Sequence, residues 1–455
     1  MSQSRLVSIL LIALDALAVV VSFNVVAWAR GILAPGDWIV AALLLPVLIH
    51  FLGVYLIDGY SSRTDMLSVT YASLHVIAQV GVLLVTLLLT HTFIPSGFQL
   101  QSSRLVTSVS YLAVIPISLS YRRLFYLWLH RKRVQRYFLF LGSSEEFSFF
   151  QEECRNHQMP QITLFASREK LLDTQAPGSP TPPGADDIVR MLHQHADRID
   201  AIVLRESGRD LPADIAQRLM ELHFRGVPTY TLELFHQVYW RKIPLYRLNQ
   251  TWLFQEGFQI AREPVFERMK RISDIVLATL GLAISAPFLL IAAALIWLQD
   301  RGPVLFRQTR VGRNRVLFEA LKLRSMRPVH SGAPYTREGD DRITPIGRFL
   351  RATRLDEVPQ LWNVLRGDMS LIGPRAEWVK LVEDYEKQIP CYHFRHLVKP
   401  GITGWAQVNY PYGASVEDTL RKLEYDLYYI RFFSFVLDAS IILKTIHVML
   451  FGKGR

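Results

Sequence analysis

Cysteine is nearly absent from this chain of 455 residues, which contains only Cys154 and Cys391. Two cysteines so far apart form neither a disulfide framework nor a metal-binding pattern, so we expect the soluble parts to face a reducing cytoplasm. A cleaved signal peptide is not expected either, because the first apolar run is too long and lacks a convincing cleavage site. No nucleic-acid-binding motif accompanies the net charge of +11. The positive charge therefore favours anionic lipid or phosphorylated molecules as partners over nucleic acid.

Hydrophobic residues make up 50% of the chain, and the mean hydropathy is +0.18. These values are high for a soluble protein and low for one that lies entirely in a membrane, which predicts a membrane part joined to a soluble part. The length leaves room for two or three domains, each with its own core. We place the boundaries of three domains at residues 1–133, 134–254 and 255–455.

Four apolar runs in the first domain predict a four-helix transmembrane bundle. The first three have spanning length, whereas the fourth is short unless it extends through Tyr121. For Asp15 and Asn24, within the first run, we favour hydrogen bonding between helices over a transport role. The loop Thr92–Ser103 has no lysine or arginine while basic residues flank both ends of the bundle, so the positive-inside rule places those ends in the cytoplasm. The runs are Leu6–Ala29, Trp38–Ile57, Leu67–Thr90 and Leu105–Leu119.

Strand-like and helix-like stretches alternate in the second domain and predict a small, doubly wound α/β fold. Its first strand–helix turn, Gly142 to Glu146, lacks the second and third glycines that a bound pyrophosphate needs. It also has two acids where the phosphate would lie. We therefore expect a structural or regulatory role rather than dinucleotide binding. The predicted strands are Tyr137–Leu141, Ile162–Phe165 and Ala201–Leu204, and the predicted helices are Phe147–Asn156 and Ala213–Phe224.

A further apolar run, Ile275–Leu298, has 24 residues without a charge and is long enough to span a membrane. Basic residues on both sides favour keeping both ends in the cytoplasm. Pro287 removes a backbone donor in the middle of the run, and the hydroxyl of Ser285 is expected to bond the carbonyls that this frees. We favour a broken helix that dips into the membrane and returns. The alternative is a proline-kinked helix that crosses it.

The stretch Gly347–Glu377 contains adjacent carboxylates, Asp356 and Glu357, with arginines on either side. Leu355–Leu365 predicts one short helix. On spacing alone, capping of this helix by Asp356 is the simpler explanation. The functional alternative is phosphoryl chemistry, in which one carboxylate attacks a phosphoryl group and the other holds a divalent metal. Arginines and Mg²⁺ would then neutralise the developing charge, and a second phosphate oxygen would displace the acyl phosphate.

Residues 423–451 are aromatic and apolar and predict either an interfacial amphipathic helix or a core helix. We expect Asp438 and Lys444 to need a face in contact with water in both cases. Trp405 lies among glycine and proline turns, and we expect it to lie at a lipid interface.

Four segments together resemble the bacterial sugar transferases that act as polyprenyl-phosphate hexose-1-phosphate transferases. These are monotopic phosphoglycosyl transferases that start exopolysaccharide or O-antigen synthesis. The resemblance covers roughly residues 262–455. The upstream layout of four spans and a Rossmann-like domain looks like the large members of that family. The segments are KLRSM from Lys322, DRITPIGRFLR, LDEVPQLWNVLRGDMSLIGPR from Leu355, and KPGITGWAQVN from Lys399.

The resemblance implies a multi-pass protein of the bacterial inner membrane with its catalytic domain on the cytoplasmic face. That domain would transfer a sugar 1-phosphate from a UDP-sugar to undecaprenyl phosphate. Asp356 matches the family nucleophile, which attacks the β-phosphate and releases UMP, and Glu357 matches its partner acid; the two would share Mg²⁺. Ser285 and Pro287 match the break of the family's re-entrant helix. The expected phosphate-binding cations are Lys322, Arg324, Arg351 and Arg375.

One departure from the family pattern is Ala376, which replaces the last proline of Gly-Pro-Arg-Pro and is expected to loosen the turn that carries Arg375. Two alternatives stay open. The first is a catalytically silent membrane scaffold, and the second is direct transfer with Asp356 acting only as a base. We expect a homodimer, and the sequence leaves the identity of the sugar open.

Overall fold

The computed structural model describes most of the chain. The described residues are 3–34, 36–61, 64–93, 104–129, 137–157, 159, 161–167, 199–204, 213–245, 264–327, 342–411, 413 and 415–451.

Four N-terminal helices pack around an apolar core that includes Phe23, Leu43 and Tyr111. The second helix is shorter than predicted, since only Ala41–Leu56 is helical, whereas the fourth is longer and reaches spanning length. The spanning length predicted for the second run was therefore wrong, whereas the fourth run extends through Tyr121, which was the condition set for its spanning length. Gly31, Gly36 and Asp37 precede the second helix, and residues 120–129 continue the fourth. The helices are α1 (Gln3–Ala29), α2 (Leu44–Leu56), α3 (Val69–Phe93) and α4 (Arg104–Leu129).

Asp15 is fully buried in this bundle and accepts a hydrogen bond from Tyr60 Oη at 2.6 Å. It also pairs with Arg122 of α4 at 2.5 Å. The side chain of Asn24 exchanges two bonds with the backbone of Ile39, at 2.8 and 2.9 Å. The predicted hydrogen bonding between helices is thus confirmed for Asp15, whereas Asn24 bonds Ile39 in the segment before the second helix. The basic residues at 63 and 131–133 and most of the loop Thr92–Ser103, which set the predicted orientation, lie outside the described residues.

The second domain contains a four-stranded parallel sheet in the order β2-β1-β3-β4. Alternate residues of β1 face opposite sides, so Leu139 packs beneath α6 while Phe138 packs with Phe150 of α5. The predicted parallel α/β arrangement is confirmed, and its Rossmann-like identity stays a prediction. The elements are β1 (Tyr137–Gly142), α5 (Ser144–Asn156), β2 (Ile162–Ser167), β3 (Ile199–Leu204), α6 (Ala213–Phe224), β4 (Thr229–Thr231) and α7 (Leu232–Phe235).

The turn after β1 caps a helix. Ser143 is the N-cap of α5 and accepts a bond from the Glu146 amide, while the Glu146 carboxylate accepts one from the Ser143 amide. The Glu146 carboxylate and the Ser143 hydroxyl therefore each satisfy one amide to which a bound phosphate would otherwise bond.

One helix, α8 (Pro264–Asp300), contains the whole apolar run Ile275–Leu298 and continues past Ser285 and Pro287 without an interruption, so the predicted division into two helices is not observed. Ser285 Oγ donates to the carbonyl of Gly281 at 2.6 Å. The carbonyl that Pro287 leaves free belongs to Ala283, so the predicted bond from Ser285 to a freed carbonyl was wrong. Near the N-terminus of α8, Arg271 Nη2 donates a hydrogen bond to the carbonyl of Leu365 at 2.6 Å.

The second half of α8 contacts the domain that follows it. Ala292 and Ile296 pack against Leu323 and Leu350 there. Both halves of the helix therefore contact the same domain.

This third domain combines short strand pairs with helices. β5 and β6 are antiparallel, and β7 and β8 are parallel. The elements are β5 (Leu305–Val311), β6 (Leu317–Leu323), α9 (Pro345–Ala352), α10 (Gln360–Arg366), β7 (Ser370–Ile372), α11 (Val379–Gln388), β8 (Gly401–Thr403), α12 (Trp405–Asn409), α13 (Val416–Arg431) and α14 (Phe435–Phe451).

The aromatic C-terminal stretch forms α13 and α14. Asp438 is 7% exposed and pairs with Lys270 at 2.6 Å, and Lys444 Nζ donates to Asn409 at 2.5 Å. The prediction of a wet face was wrong for Asp438, because Lys270 from a distant part of the chain neutralises its charge, whereas Lys444 is half-buried. Trp405 is 2% exposed and donates to the carbonyl of Arg241, so its predicted place at a lipid interface was also wrong.

Candidate active site

Asp356 and Glu357 lie in a single 3₁₀ turn, Leu355–Glu357, and α10 begins only at Gln360. The single helix predicted over Leu355–Leu365 was therefore wrong. Pro359, which has no amide hydrogen, separates the two pieces. No side chain caps α10, so helix capping does not explain Asp356. Arg354 enters the turn with a positive φ of 58°.

Glu357 is held by two cations from distant parts of the domain. Its Oε1 accepts from Lys322 Nζ of β6 at 2.6 Å and from Arg375 Nη2, just after β7, at 3.1 Å. Burial opposes ionisation of Glu357, but Arg375 and Lys322 outweigh it and hold its pKa far below the ordinary value. Glu357 is therefore a fixed anion, and both cations are oriented by it.

Asp356 differs from its neighbour. It is 7% exposed, and its Oδ1 has no hydrogen-bond partner among the described residues. Burial, followed by repulsion from Glu357, raises the pKa of Asp356, while Lys322 and two arginines oppose the rise. A buried carboxylate oxygen without a partner is costly unless another molecule uses it. The geometry leaves Asp356 available to react.

Four cations therefore surround the two carboxylates: Lys322, Arg351, Arg354 and Arg375. Arg351 lies on α9, and its buried Nη1 has no hydrogen-bond partner within the described chain. The resulting excess of positive charge suits a ligand with several negative charges, such as a pyrophosphate.

Arg324 is not brought to the pair in the same way, since the structure places its guanidinium against Gly302. A Cβ on that glycine would lie 2.3 Å from Arg324 Nη1. Ser285 and Pro287 lie within α8 and form no part of the charge cluster. Of the residues predicted for the site, the structure thus gathers Asp356, Glu357, Lys322, Arg351 and Arg375.

Asn363 was not predicted and connects the turn to β6. It is fully buried, and its side chain accepts from the Leu321 amide at 3.0 Å and donates to the Glu319 carbonyl at 2.7 Å. These bonds fix the strand that carries Lys322 against α10. An asparagine within an apolar helical stretch was the only signal in the sequence.

The apolar side of the same turn contacts α8. Leu355 packs with the cluster that contains Ala292 and Ile296, while the next residue, Asp356, lies among the cations. The candidate site thus directly adjoins the long apolar helix.

The sequence model of the bacterial sugar transferase family matches residues 265–452 of this chain. This range contains the whole charge cluster and all of α8 except its first residue, Pro264.

Curated relatives carry related names. The UDP-N-acetylgalactosamine-undecaprenyl-phosphate N-acetylgalactosaminephosphotransferase of Aeromonas hydrophila is 38% identical over 259 residues, which are 56% of this chain and 60% of that protein. The UDP-glucose:undecaprenyl-phosphate glucose-1-phosphate transferase of Escherichia coli is 45% identical over 184 residues, or 39% of each protein. The protein of the same name from Caulobacter vibrioides is 44% identical over 185 residues, which are 40% of this chain and 69% of that protein. The alignment thus spans 60% and 39% of the first two relatives.

Proposed function

The chain belongs to the bacterial sugar transferase family, and we propose that it transfers a sugar 1-phosphate from a UDP-sugar to undecaprenyl phosphate. The names of the relatives support the substrate classes. The observation that supports the chemistry is Asp356, a buried carboxylate with a partnerless oxygen, surrounded by cations and joined to an apolar helix.

In the proposed reaction, an oxygen of Asp356 attacks the β-phosphorus of the UDP-sugar. The bond from that phosphorus to the bridging oxygen breaks, and UMP leaves with this oxygen. The resulting aspartyl phosphosugar is an acyl phosphate. An oxygen of undecaprenyl phosphate then attacks the same phosphorus, the bond to Asp356 breaks, and the carboxylate is restored with a lipid-linked sugar pyrophosphate as product.

The surrounding cations would act on charge. Lys322 and Arg375, already oriented by Glu357, would bind the phosphate oxygens of the donor, as would Arg351. Because the turn is buried, these interactions are stronger than they would be in water. The guanidinium of Arg324 lies beside Gly302, and its binding to a donor phosphate stays a prediction.

Mg²⁺ fits this site through Asp356 and Glu357. The described residues contain no group of three or more candidate metal ligands, so the protein alone would not enclose an ion. Two carboxylates together with substrate phosphate oxygens are a ligand set that suits Mg²⁺. When bound, the ion would neutralise phosphate charge.

We further propose that α8 bends at Pro287, so that it enters the cytoplasmic membrane from the cytoplasmic face and returns to it. The helix is apolar enough to span, but residues from Arg271 to Ile296 contact the same domain on both halves. A crossing helix would hold its ends on opposite sides of the bilayer. Labelling single-cysteine variants Glu267→Cys and Arg301→Cys in intact spheroplasts tests this, because neither position should react with an impermeant maleimide. Labelling of one position from outside would overturn re-entry.

The experiment that tests the function measures UMP release from purified protein, undecaprenyl phosphate and Mg²⁺ with a panel of UDP-sugars. The panel includes UDP-glucose and UDP-N-acetylgalactosamine, the donors named for the relatives. We expect release from at least one donor and none from Asp356→Asn with its unfolding midpoint unchanged. Full activity of that variant would refute the role of Asp356.

Omitting the acceptor distinguishes a covalent intermediate from direct transfer, in which Asp356 acts only as a base. A covalent intermediate predicts one equivalent of UMP and a mass increase of one sugar phosphate on the protein, reversed by hydroxylamine. Direct transfer predicts neither product. Absence of UMP from every donor, with acceptor present, would favour the scaffold alternative.

A further inference from the structure

The segment that carries Arg375 is bonded to the rest of the domain at four successive carbonyl groups. Its turn contains Ala376 where the family pattern has proline, so no ring fixes the backbone there. Each carbonyl instead accepts a hydrogen bond from a distant residue. The bonds are Gly401 amide to Pro374 (2.9 Å), Arg395 Nη2 to Arg375 (2.9 Å), Arg310 Nη1 to Ala376, and Val311 amide to Glu377 (3.2 Å).

Arg395 is the donor whose own position is most strongly constrained. Its side chain is 7% exposed, and Nη2 also donates to Asp426 of α13 at 2.9 Å. Its Nη1 donates to Tyr392 Oη at 2.5 Å. Asp426 is 3% exposed, so the two charges neutralise each other away from water. Burying an arginine and an aspartate costs free energy unless the two charges are paired, as they are here. The same nitrogen, Nη2, that bonds Asp426 also donates to the carbonyl of Arg375.

The carbonyl in question belongs to the residue whose guanidinium holds Glu357. Arg375 Nη2 donates to Glu357 Oε1 at 3.1 Å, next to Asp356. Fixing the backbone of Arg375 at the carbonyl therefore fixes the point from which its side chain reaches the site. A flexible arginine would spend part of its time away from Glu357, with a loss of phosphate stabilisation.

We propose that Arg395 is a positioning residue for sugar-phosphate transfer. Together with Asp426 it holds the backbone of Arg375, and so orients the Arg375 guanidinium toward Glu357 and the donor phosphates. The inference rests on the proposed function. In this chain the bonds to the Arg375 and Ala376 carbonyls take over the rigidity that a proline at position 376 would supply.

Arg395→Lys is the informative variant because it keeps a positive charge opposite Asp426. A lysine ammonium cannot reproduce the forked geometry that reaches Tyr392, Asp426 and the carbonyl together. Loss of a hydrogen bond from a charged group predicts a decrease of about 10-fold or more in the rate of UMP release. The matched control is Arg421→Lys, on α13 and paired with Glu153 of the second domain at 3.2 Å; the lysine keeps this charge pair, so we expect a change below about twofold.

A double-mutant cycle with Arg375→Ala separates positioning from general stability. If Arg395 acts through Arg375, Arg395→Lys has no further effect on the rate once the Arg375 side chain is gone. The same fold-decrease in both backgrounds would overturn the proposal, because a purely structural role does not need the Arg375 side chain.

A second measurement does not depend on activity. The proteins are treated with phenylglyoxal, and modification of Arg375 is followed by peptide mass spectrometry, with exposed Arg307 as the internal reference. We expect Arg375 to react at least about threefold faster in Arg395→Lys and in Glu357→Gln than in the wild type, because it leaves its ion pair more often. If Arg395→Lys does not fold, Asp426→Asn takes its place with the same expectation.

The two measurements distinguish the possible failures. If the wild type releases no UMP from any donor, the proposed function fails, while phenylglyoxal labelling still decides whether Arg395 holds Arg375. If the wild type is active but neither the rate nor the labelling of Arg375 changes in Arg395→Lys, the positioning role is refuted.

Discussion

Removing either member of the Lys270–Asp438 ion pair should destabilise the protein strongly. Lys270 Nζ donates to Asp438 Oδ2 at 2.6 Å, and the side chains are 11% and 10% exposed. Tyr429 donates to the other oxygen of Asp438 at 2.9 Å. Lys270 lies on α8, and Asp438 lies on α14, which packs against α3 through a Ser73–Ser440 contact of 2.8 Å. The pair thus links the apolar helix to the rest of the membrane part.

The size of the effect follows from burial. Lys270→Met leaves the Asp438 carboxylate with Tyr429 alone, and Asp438→Asn leaves a buried ammonium without its counter-ion. Each should lower the free energy of unfolding by about 3 kcal/mol, the lower range for breaking a buried pair. The double variant leaves no uncompensated charge, and the amide oxygen introduced by Asp438→Asn still accepts from Tyr429. The double variant should therefore lose less free energy of unfolding than the two single variants added together, by about 2 kcal/mol or more.

The assay is reversible unfolding in dodecylmaltoside micelles with increasing sodium dodecyl sulfate, followed by tryptophan fluorescence. The control is Arg307→Met, which breaks an exposed pair with Glu319 at 3.6 Å, where the side chains are 65% and 57% exposed. We expect a change below about 0.5 kcal/mol for this control. Single losses at Lys270 and Asp438 no larger than that of the control, or losses that add without coupling, would refute the reasoning.

Two further outcomes are expected. Burial and Glu357 raise the pKa of Asp356, whereas Arg354 opposes this rise of the pKa. As the pH falls, Asp356 is therefore protonated at a higher pH than an ordinary aspartate, and UMP release declines on the acid side. Arg354→Gln should therefore move the acid limb of the pH–rate profile to higher pH by about a few tenths of a unit, less at high salt, whereas Arg354→Lys should not. Movement to lower pH would show that Asp356 does not set the limb. Asn363→Ala strands the Leu321 amide and the Glu319 carbonyl and should cost about 3 kcal/mol in the micelle assay; a loss below about 1 kcal/mol would mean that water replaces both bonds.

Charge linkage gives the two carboxylates opposite effects on stability. The pKa of Glu357 in the folded protein is lowered, so its contribution is present above the pKa of the unfolded chain and is lost as the pH falls through the folded value. For Asp356 the folded pKa is raised. Its contribution is therefore greatest at low pH and is lost as the pH rises. A single acid-denaturation midpoint consequently combines two opposite contributions and does not report the stability that either carboxylate provides.

Local sequence patterns predicted the second domain well, because each strand there is a short apolar run between turn residues. The helix at Ala213–Phe224 has the predicted bounds. The adjacent acids and their arginines also predicted a candidate site, although spacing alone favoured helix capping by Asp356. In contrast, the single helix over Leu355–Leu365 was wrong, since a pattern of apolar residues does not show that Pro359 divides it.

Local sequence patterns did not predict contacts between residues that are distant in the chain. Lys322 reaches Glu357 because the β5–β6 register and the bonds of Asn363 bring β6 against the 3₁₀ turn. Asp438 was predicted to need a wet face because its partner, Lys270, lies 168 residues away in the sequence. Arg395 lies 20 residues from the carbonyl it bonds, and nothing in its neighbours distinguishes it from a surface arginine. Side chains that act on the backbone of another segment leave no periodic signal.

The 3₁₀ turn also accounts for how one carboxylate would serve a water-soluble donor and a lipid acceptor. Successive residues in such a turn point about 120° apart. Leu355 therefore packs on the apolar surface of α8 while Asp356 lies among the cations. Under the proposed function, the phosphate of a membrane-embedded acceptor approaches along α8, and the pyrophosphate of the donor binds on the cationic side. The same carboxylate reacts with the donor and is then released by the acceptor. A covalent intermediate suits this arrangement, since the two substrates need not occupy the crowded turn together.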